Sequence, residues 1–459
     1  MKIIVCGAGI VGSAISEHLA HEGNDVTVID SDAEKIQRIT EHADVGAVMG
    51  VASHPDVLAQ AGLAETDLII AVTDSDEVNM VACQVAHTIF ETPTKISRIR
   101  SNAYLSSQAQ LLYASNNIAI DHIISPEREV SRAVGRQLQL PGAFDVKEMA
   151  GGRIRLIGVQ IEANCAVLAT PLRHLTTLFP DLSLTIVAIM RSGALIVPRD
   201  GRDMLEEGDR VYFVVDADHV ERAMATFGHT EEEAASVVIA GGGNIGQMVA
   251  EELVAEGKVT PRIIEINKEQ ARNLAKQVPA SSVICGDMLD SDILKEAGVR
   301  ATGTFVAVSD DDEVNILSAL LAKRMGAKHT VALVSMPGFV PLISTLGVDA
   351  VINPPQITIS SLLEHVRRGR IHDVHSVSEG AGEVLEAEAL ATSSIVGKPL
   401  RNSRIPKGVA IGAVVRGERV IPARGDTIIE DGDRVIVFAR KGSSKKAENI
   451  ITAKDDIFT

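Results

Sequence analysis

The hexapeptide Gly7-Ala8-Gly9-Ile10-Val11-Gly12 recurs as Gly241-Gly242-Gly243-Asn244-Ile245-Gly246, and this repetition constrains the chain more than any single segment does. Around it, in the same order, Asp30 answers to Glu265, Gly50 to Gly286, and Thr73-Asp74-Ser75-Asp76-Glu77-Val78-Asn79 to Ser309-Asp310-Asp311-Asp312-Glu313-Val314-Asn315. Further along, Pro126 answers to Pro354, Pro171-Leu172-Arg173 to Pro399-Leu400-Arg401, and Gly208-Asp209-Arg210-Val211 to Gly432-Asp433-Arg434-Val435. The spacing drifts only as small loop deletions would make it drift. Solenoid units repeat every ~20–50 residues, so a repeat that fills half of a 459-residue chain must give each copy its own core.

Each copy alternates strand-like with helical runs: KIIVCG, DVTVID, VGAVMG, LIIAVT and KISRIR, then SVVIAG, PRIIEI, SSVICG, TFVAVS and HTVALVS. Ile/Val-rich strands joined by helices require right-handed crossovers, hence an α/β class with two Rossmann-type, doubly wound parallel sheets. These are expected over 1–121 and 234–350. Ser125-Pro126-Glu127 and Asn353-Pro354 then place a cap before a proline at the first helical position, giving helices over 122–143 and 351–371. The first sets Val130, Val134 and Leu138 on one face, the second Ile359, Leu362, Leu363 and Val366. Both stripes need an apolar partner, either their own domain or another one reached as connecting or dimer helices. Hairpin-like segments with glycine turns at Ser192-Gly193 and Arg416-Gly417 mark small α+β companions over 144–228 and 372–459.

Composition supports the plan and excludes some functions. Aromatic residues make up 3% of the chain and Trp is absent, so Val, Ile, Leu and Ala must fill the cores, as buried parallel strands require. A net charge of −17 without a basic tract would repel a phosphate backbone, so no nucleic-acid partner is expected. The first residues run straight into a strand and lack a signal-peptide pattern, and no apolar run is long enough to span a bilayer. A cytoplasmic location follows as the expectation. The four cysteines, Cys6, Cys83, Cys165 and Cys285, form no C-x-x-C pair and read as small buried hydrophobes.

The glycine fingerprint follows a strand and opens a helix in both copies, the context in which it acquires a mechanism. Gly7 and Gly241 permit the tight turn, Gly9 and Gly243 let backbone amides approach a diphosphate, and Gly12 and Gly246 let helix and strand pack closely. Asp30 and Glu265 end the second strand of each copy, where a carboxylate accepts hydrogen bonds from a ribose diol and repels a 2′-phosphate. That diol is common to NAD, ATP, ADP and AMP, so the ligand class is adenine nucleotide. Thr73-Asp74 and Ser309-Asp310 stand at a strand end, where they cap the following helix, line the cleft, or do both. Arg98 and Arg100 on the fifth strand of the first copy could neutralise phosphates, whereas the second copy has no cation there and carries Asp287 in place of Val51. The first cleft is therefore expected to hold the more highly phosphorylated or more tightly bound ligand.

No catalytic constellation accompanies the fingerprint. The 13 histidines form no recognisable dyad or zinc-spaced cluster, and neither Gly-x-Ser-x-Gly nor Gly-Lys-[Ser/Thr] occurs. The residues by themselves leave open an NAD-dependent oxidoreductase, a nucleotide-binding protein without catalysis, and a scaffold with vestigial clefts.

Segments such as Ala52-Ser53-His54-Pro55-Asp56-Val57-Leu58, Lys95 to Ser101, Leu321 to Lys328, and Gly412 to Glu418 make the chain resemble, end to end, the bacterial TrkA family of potassium-uptake proteins. In that family each half pairs a nucleotide-binding domain with a carboxyl-terminal regulator-of-potassium-conductance (RCK) subdomain. The resemblance implies a non-enzymatic peripheral subunit on the inner face of the cell membrane. It implies assembly as a homotetrameric ring beneath a membrane potassium-translocating partner, gated by NAD(H), ATP or ADP. It further implies nucleotide contacts from Gly7, Ala8, Gly9, Ile10, Val11, Asp30, Thr73, Asp74 and Arg98. In the second half these become Gly241, Gly242, Gly243, Asn244, Ile245, Glu265, Ser309 and Asp310, with neither catalytic nor metal-binding residues in either half.

Overall fold

Ile3 to Cys6 and Leu68 to Ala71 are buried along their whole length, as are Val237 to Ala240 and Thr304 to Ala307. Uninterrupted apolar runs of this kind belong at the centre of parallel sheets covered on both faces. The computed structural model describes residues 1–106, 108–114, 117–199, 201–231, 236–339, 342–343, 346–366 and 371–451. In the first half, β1 (Lys2–Cys6), β2 (Asp25–Asp30), β3 (Gly46–Met49), β4 (Leu68–Ala71), β5 (Thr94–Arg98) and β6 (His122–Ile124) form a parallel sheet in the order β3-β2-β1-β4-β5-β6. The order reverses between β1 and β4, where Val5 stands beside both Val28 and Ile70.

A five-stranded antiparallel sheet follows, built from β7 (Ala143–Met149), β8 (Ile154–Gln160), β9 (Leu184–Arg191), β10 (Ala194–Ile196) and β11 (Arg210–Asp216), in the order β10-β9-β11-β8-β7. Its core gathers Ile157, Val159, Ile189, Phe213 and Phe227. The second half repeats both plans. Strands β12 (Val237–Ala240), β13 (Arg262–Glu265), β14 (Ser282–Cys285), β15 (Thr304–Ala307), β16 (His329–Leu333) and β17 (Ala350–Ile352) run in the order β14-β13-β12-β15-β16-β17. Strands β18 (Ile371–Val377), β19 (Gly382–Glu388), β20 (Val409–Arg416), β21 (Arg419–Pro422) and β22 (Arg434–Arg440) run β18-β19-β22-β20-β21. The fold class is thus two Rossmann-type sheets, each with a small α+β companion. The short edge strands β6 and β17 have no counterpart in the sequence reading, because three residues are too few to carry an alternating pattern.

Two compact units result, 1–129 with 354–368 and 130–353 with 369–459, so they do not coincide with the two repeats. The helix Pro354–Val366, encoded in the second half, lies in the unit of the first Rossmann sheet. There Ile359, Leu362, Leu363 and Val366 share one core with Ile15 and Leu19 of helix Ile10–His21. Conversely, residues 130–139 of helix Pro126–Gln139 lie in the other unit, with Gly135 and Leu138 facing Val237, Val249 and Leu253 across a cavity of about 220 Å³. Each connecting helix is therefore packed on the Rossmann domain of the opposite half. Their prolines open them, as the missing N–H allows at a first helical position.

Within the second unit the two companion sheets share a core of Met149, Leu156, Val187 and Val214 with Val377, Val384, Val415 and Phe438. A side chain at Gly412 would come within 2.8 Å of Val214, so the glycine permits the close approach. Polar pairs flank this core in a reciprocal pattern: Asp145 with His375 at 3.2 Å and Asp373 with Lys147 at 3.1 Å. Cys6, Cys83 and Cys165 are buried as expected, but Cys285 is exposed. It is the last residue of the edge strand β14, where a side chain lacks a covering neighbour. Among the described residues no helix is long and apolar enough to cross a membrane.

Candidate nucleotide site

At the end of β1 the chain turns through Gly7 at φ +110°, and at the end of β12 through Gly241 at φ +112°, a region that disfavours any residue with a Cβ. The third glycine is required by packing: a Cβ on Gly12 would lie 1.9 Å from the Gly7 carbonyl oxygen, and one on Gly246 equally close to that of Gly241. The middle glycines face open space, with nothing within 4 Å of a Cβ built on Gly9 or Gly243. These two residues start the helices Ile10–His21 and Asn244–Glu256 without any side-chain cap, while Asp32, Ser75, Asn267 and Asp311 cap their own helices. The first amides of both fingerprint helices are thus left for an external acceptor, and the helix dipole favours an anionic one.

Asp30 and Glu265 hold the glycine loops in place. Asp30 accepts from the Ala8 amide at 2.7 Å and from the Asp32 amide at 2.9 Å. Glu265 accepts from the Gly242 amide at 2.8 Å and the Asn267 amide at 2.7 Å. Each oxygen retains a second lone pair for a ribose hydroxyl.

Thr73 and Ser309 do not cap the following helices, contrary to one of the two sequence readings. Ser75 and Asp311 do, through the Val78 and Val314 amides. The Thr73 hydroxyl instead donates to the Asn79 side-chain oxygen at 2.6 Å, and that of Ser309 to Asn315 at 2.7 Å. Asn79 is fully buried and donates to the Thr73 and Arg98 carbonyls, pinning the end of β4 to that of β5; Asn315 does the same with Ser309 and Leu333. Buried Asp76 receives the Arg100 and Ser101 amides, and Asp312 those of Ser335 and Met336. Much of the acidic motif is therefore scaffold, which the sequence could not separate from binding. Asp74 and Asp310 remain exposed at the cleft.

The matching pins bring Leu333 to the place of Arg98 and Ser335 to that of Arg100, so the second cleft lacks both cations. Arg98 is half-buried, and its Nε is buried without a hydrogen-bond partner. Burial, with Arg100 nearby, holds its guanidinium below the usual arginine range. Arg100 is exposed and paired at 3.0 Å with Glu127, which raises its pKa. Ile10, Met49 and Val51 expose apolar surface around the first cleft, Met49 standing directly beside Asp30. Their counterparts are Asn244, Cys285 and Asp287. Sequence reasoning passed over this rim, although an exposed Met at a strand's carboxyl end was its signal. An uncapped amide cradle, a diol acceptor, an unsatisfied guanidinium nitrogen and an apolar rim fit an adenine nucleotide in the first cleft. Among the described residues the second offers the cradle and the acid alone.

The TrkA-N domain family matches residues 3–126 and 237–354, and the TrkA-C domain family matches 156–228 and 384–452. The chain is 47% identical over 459 residues to the Trk system potassium uptake protein TrkA of Azorhizobium caulinodans, covering 100% of each. This chain belongs to the TrkA family. The TrkA of Halomonas elongata is 41% identical over 95% of both chains. Among solved structures, the TrkA-like fold extends to the GsuK RCK domain, with a TM-score of 0.60, 17% identity and coverage of 98% of this chain and 94% of that one. The GsuK channel bound to NAD superposes with a TM-score of 0.58 at 17% identity, covering 98% and 78%.

Proposed function

We propose that this TrkA-family chain is a non-enzymatic, peripheral cytoplasmic subunit of a potassium uptake system. It binds NAD(H), ATP or ADP in its first cleft and thereby gates a membrane potassium-translocating partner, as a homotetrameric ring. The observation that carries the nucleotide part is the buried, unsatisfied Arg98 Nε at the carboxyl end of the same sheet as Asp30 and the uncapped fingerprint helix, with Leu333 in place of that arginine in the second half. The family supplies the potassium part. A nucleotide would supply no chemistry here beyond charge and shape. Gly9, Ile10 and Val11 would present amides to the diphosphate, Gly7 and Ala8 would shape the turn with their own amides held by Ile29 and Asp30, Asp30 would receive the ribose diol, and Arg98 would offset phosphate charge, with Thr73 and Asp74 at the rim. Gly241, Gly242, Gly243, Asn244, Ile245, Glu265, Ser309 and Asp310 would form a weaker counterpart.

A ligand gates only by binding two conformations unequally. The reading is tested by titrating ATP, ADP and NADH against the wild type and the Arg98→Ala and Glu265→Ala variants. Losing one charge-assisted contact should weaken ATP binding to Arg98→Ala by ~10-fold or more, with Glu265→Ala nearly unaffected. Equal losses would count against the asymmetry, and no binding to the wild type would leave the clefts vestigial. Potassium flux through the membrane partner, measured with and without this chain and each nucleotide, tests the regulatory part; flux indifferent to both would overturn it.

A further inference from the structure

Three buried polar atoms near the end of β5 have no hydrogen-bond partner: Arg98 Nε, Ser125 Oγ and Glu127 Oε2. Ser125 and Glu127 are 8% and 7% exposed, removed from bulk solvent. They are also close together. Arg98 pairs with Ile124 across β5 and β6, and Glu127 acts electrostatically on both Arg98 and Arg100. Burying a carboxylate with only one oxygen paired is costly.

Glu127 has a second property, its position. It is the second residue of the helix Pro126–Gln139, whose residues from 130 onward belong to the other unit. Through Arg100 it ties the phosphate end of the first cleft to the start of that helix. The second half has no such link, since Ser335 stands at the position of Arg100 and Pro355 at that of Glu127.

We infer that the Arg100–Glu127 pair reads the phosphate charge of the nucleotide in the first cleft and passes it to the connecting helix. The inference rests on the nucleotide reading of that cleft. Glu127 and a ligand's terminal phosphates compete for the same guanidinium groups, Arg98 and Arg100. Asp74 and Asp76 also face them, and Asp76 is committed to the Arg100 and Ser101 amides. A ligand with more phosphate charge draws Arg100 from Glu127 and leaves a buried carboxylate unpaired in the first turn of the helix. A dinucleotide with only a diphosphate draws it less. Glu127 is thus a specificity-determining and positioning residue, discriminating ATP from NADH by charge.

The test uses the full chain with ATP, ADP and NADH, measuring affinity by calorimetry and hydrogen exchange over residues 126–139. In the wild type, ATP should change exchange at the start of this helix more than NADH does. Glu127→Gln removes the competing charge and should raise ATP affinity relative to NADH by ~10-fold, while abolishing the difference in helix exchange. Arg100→Gln should also abolish that difference, with the opposite effect on relative ATP affinity. Thermal unfolding of Glu127→Gln and Arg100→Gln without ligand, with transitions as cooperative as that of the wild type, shows that these variants fold. An unchanged ATP-to-NADH affinity ratio in Glu127→Gln, with the helix response intact, overturns the inference alone. Failure of the wild type to bind any of the three nucleotides overturns the nucleotide reading beneath it.

Discussion

Truncating Leu363 to Ala tests the exchange of connecting helices directly. Leu363 is 1% exposed in the core that includes Ile15, Leu19, Val26 and Ile70 of the first Rossmann domain. Removing Cγ and both methyl groups forfeits about 0.8 kcal/mol for each buried carbon, or roughly 2.4 kcal/mol. The cavity left behind brings the total to about 3–4 kcal/mol, inside the range for buried Leu→Ala changes. A loss of about 3 kcal/mol raises the local opening constant by roughly 100-fold, which native-state hydrogen exchange resolves element by element. Protection should fall in β1 and helix Ile10–His21, far from Leu363 in sequence. Val134→Ala, in the other connecting helix, should instead loosen β12 and helix Asn244–Glu256. If Leu363→Ala loosened only β12 to β17 of its own half, the exchange of helices would be wrong.

Gly135→Ala should stabilise the second unit by about 1 kcal/mol, the usual gain for replacing a glycine inside a helix where the added methyl group has room. Its Cβ would meet only Glu252 at 3.6 Å and project beside the nearby cavity, and urea unfolding measures the gain. Asn79→Ala should cost roughly 2–3 kcal/mol, because the Thr73 amide and hydroxyl and two carbonyls lose a buried partner; Asn315→Ala should match it, and a marked inequality in denaturation would argue against equivalent pins. His365 stacks on His122 with ring centroids 4.3 Å apart, and burial first, then His122, holds its pKa below the ordinary 6.5. The folded state therefore binds this proton less readily than the unfolded one, so the associated stability is intact above 6.5 and declines as pH falls below it. Thermal unfolding of wild type and His365→Gln as pH is lowered from 7 should show the steeper decline in the wild type, and parallel slopes would refute the assignment.

Periodicity made both Rossmann sheets legible, because strands buried on two faces must be written as unbroken apolar runs and leave a direct trace in the chain. The companion hairpins were equally visible, with Ser192 at φ +50° and Gly193 at φ +79° in the turn between β9 and β10. The mechanical roles of Gly7 and Gly12 could be read for a similar reason: a backbone that tolerates no Cβ can be encoded in one way. Their duplicates Gly241 and Gly246 repeat the geometry almost to the degree.

Other features depended on which segments meet in space. An amphipathic stripe such as Ile359, Leu362, Leu363 and Val366 states that it needs an apolar partner without naming one, and either Rossmann domain would have satisfied the pattern. Only tertiary packing chose the opposite half. In the Thr73 to Asn79 motif, every side chain except that of Val78 can accept a hydrogen bond from an amide, so composition could not tell that Ser75 caps the helix while Asn79 and Asp76 clamp neighbouring strands. Cys285 has the same strand context as Cys6, yet its strand lies at the sheet edge and its thiol is exposed. The chain alone therefore determined the duplicated fold and the unequal charge of the two clefts, since both are local properties of residues in order. The structure decided the pairing of helices with domains and the link from Arg100 to Glu127, since those require distant segments to come within reach of one another.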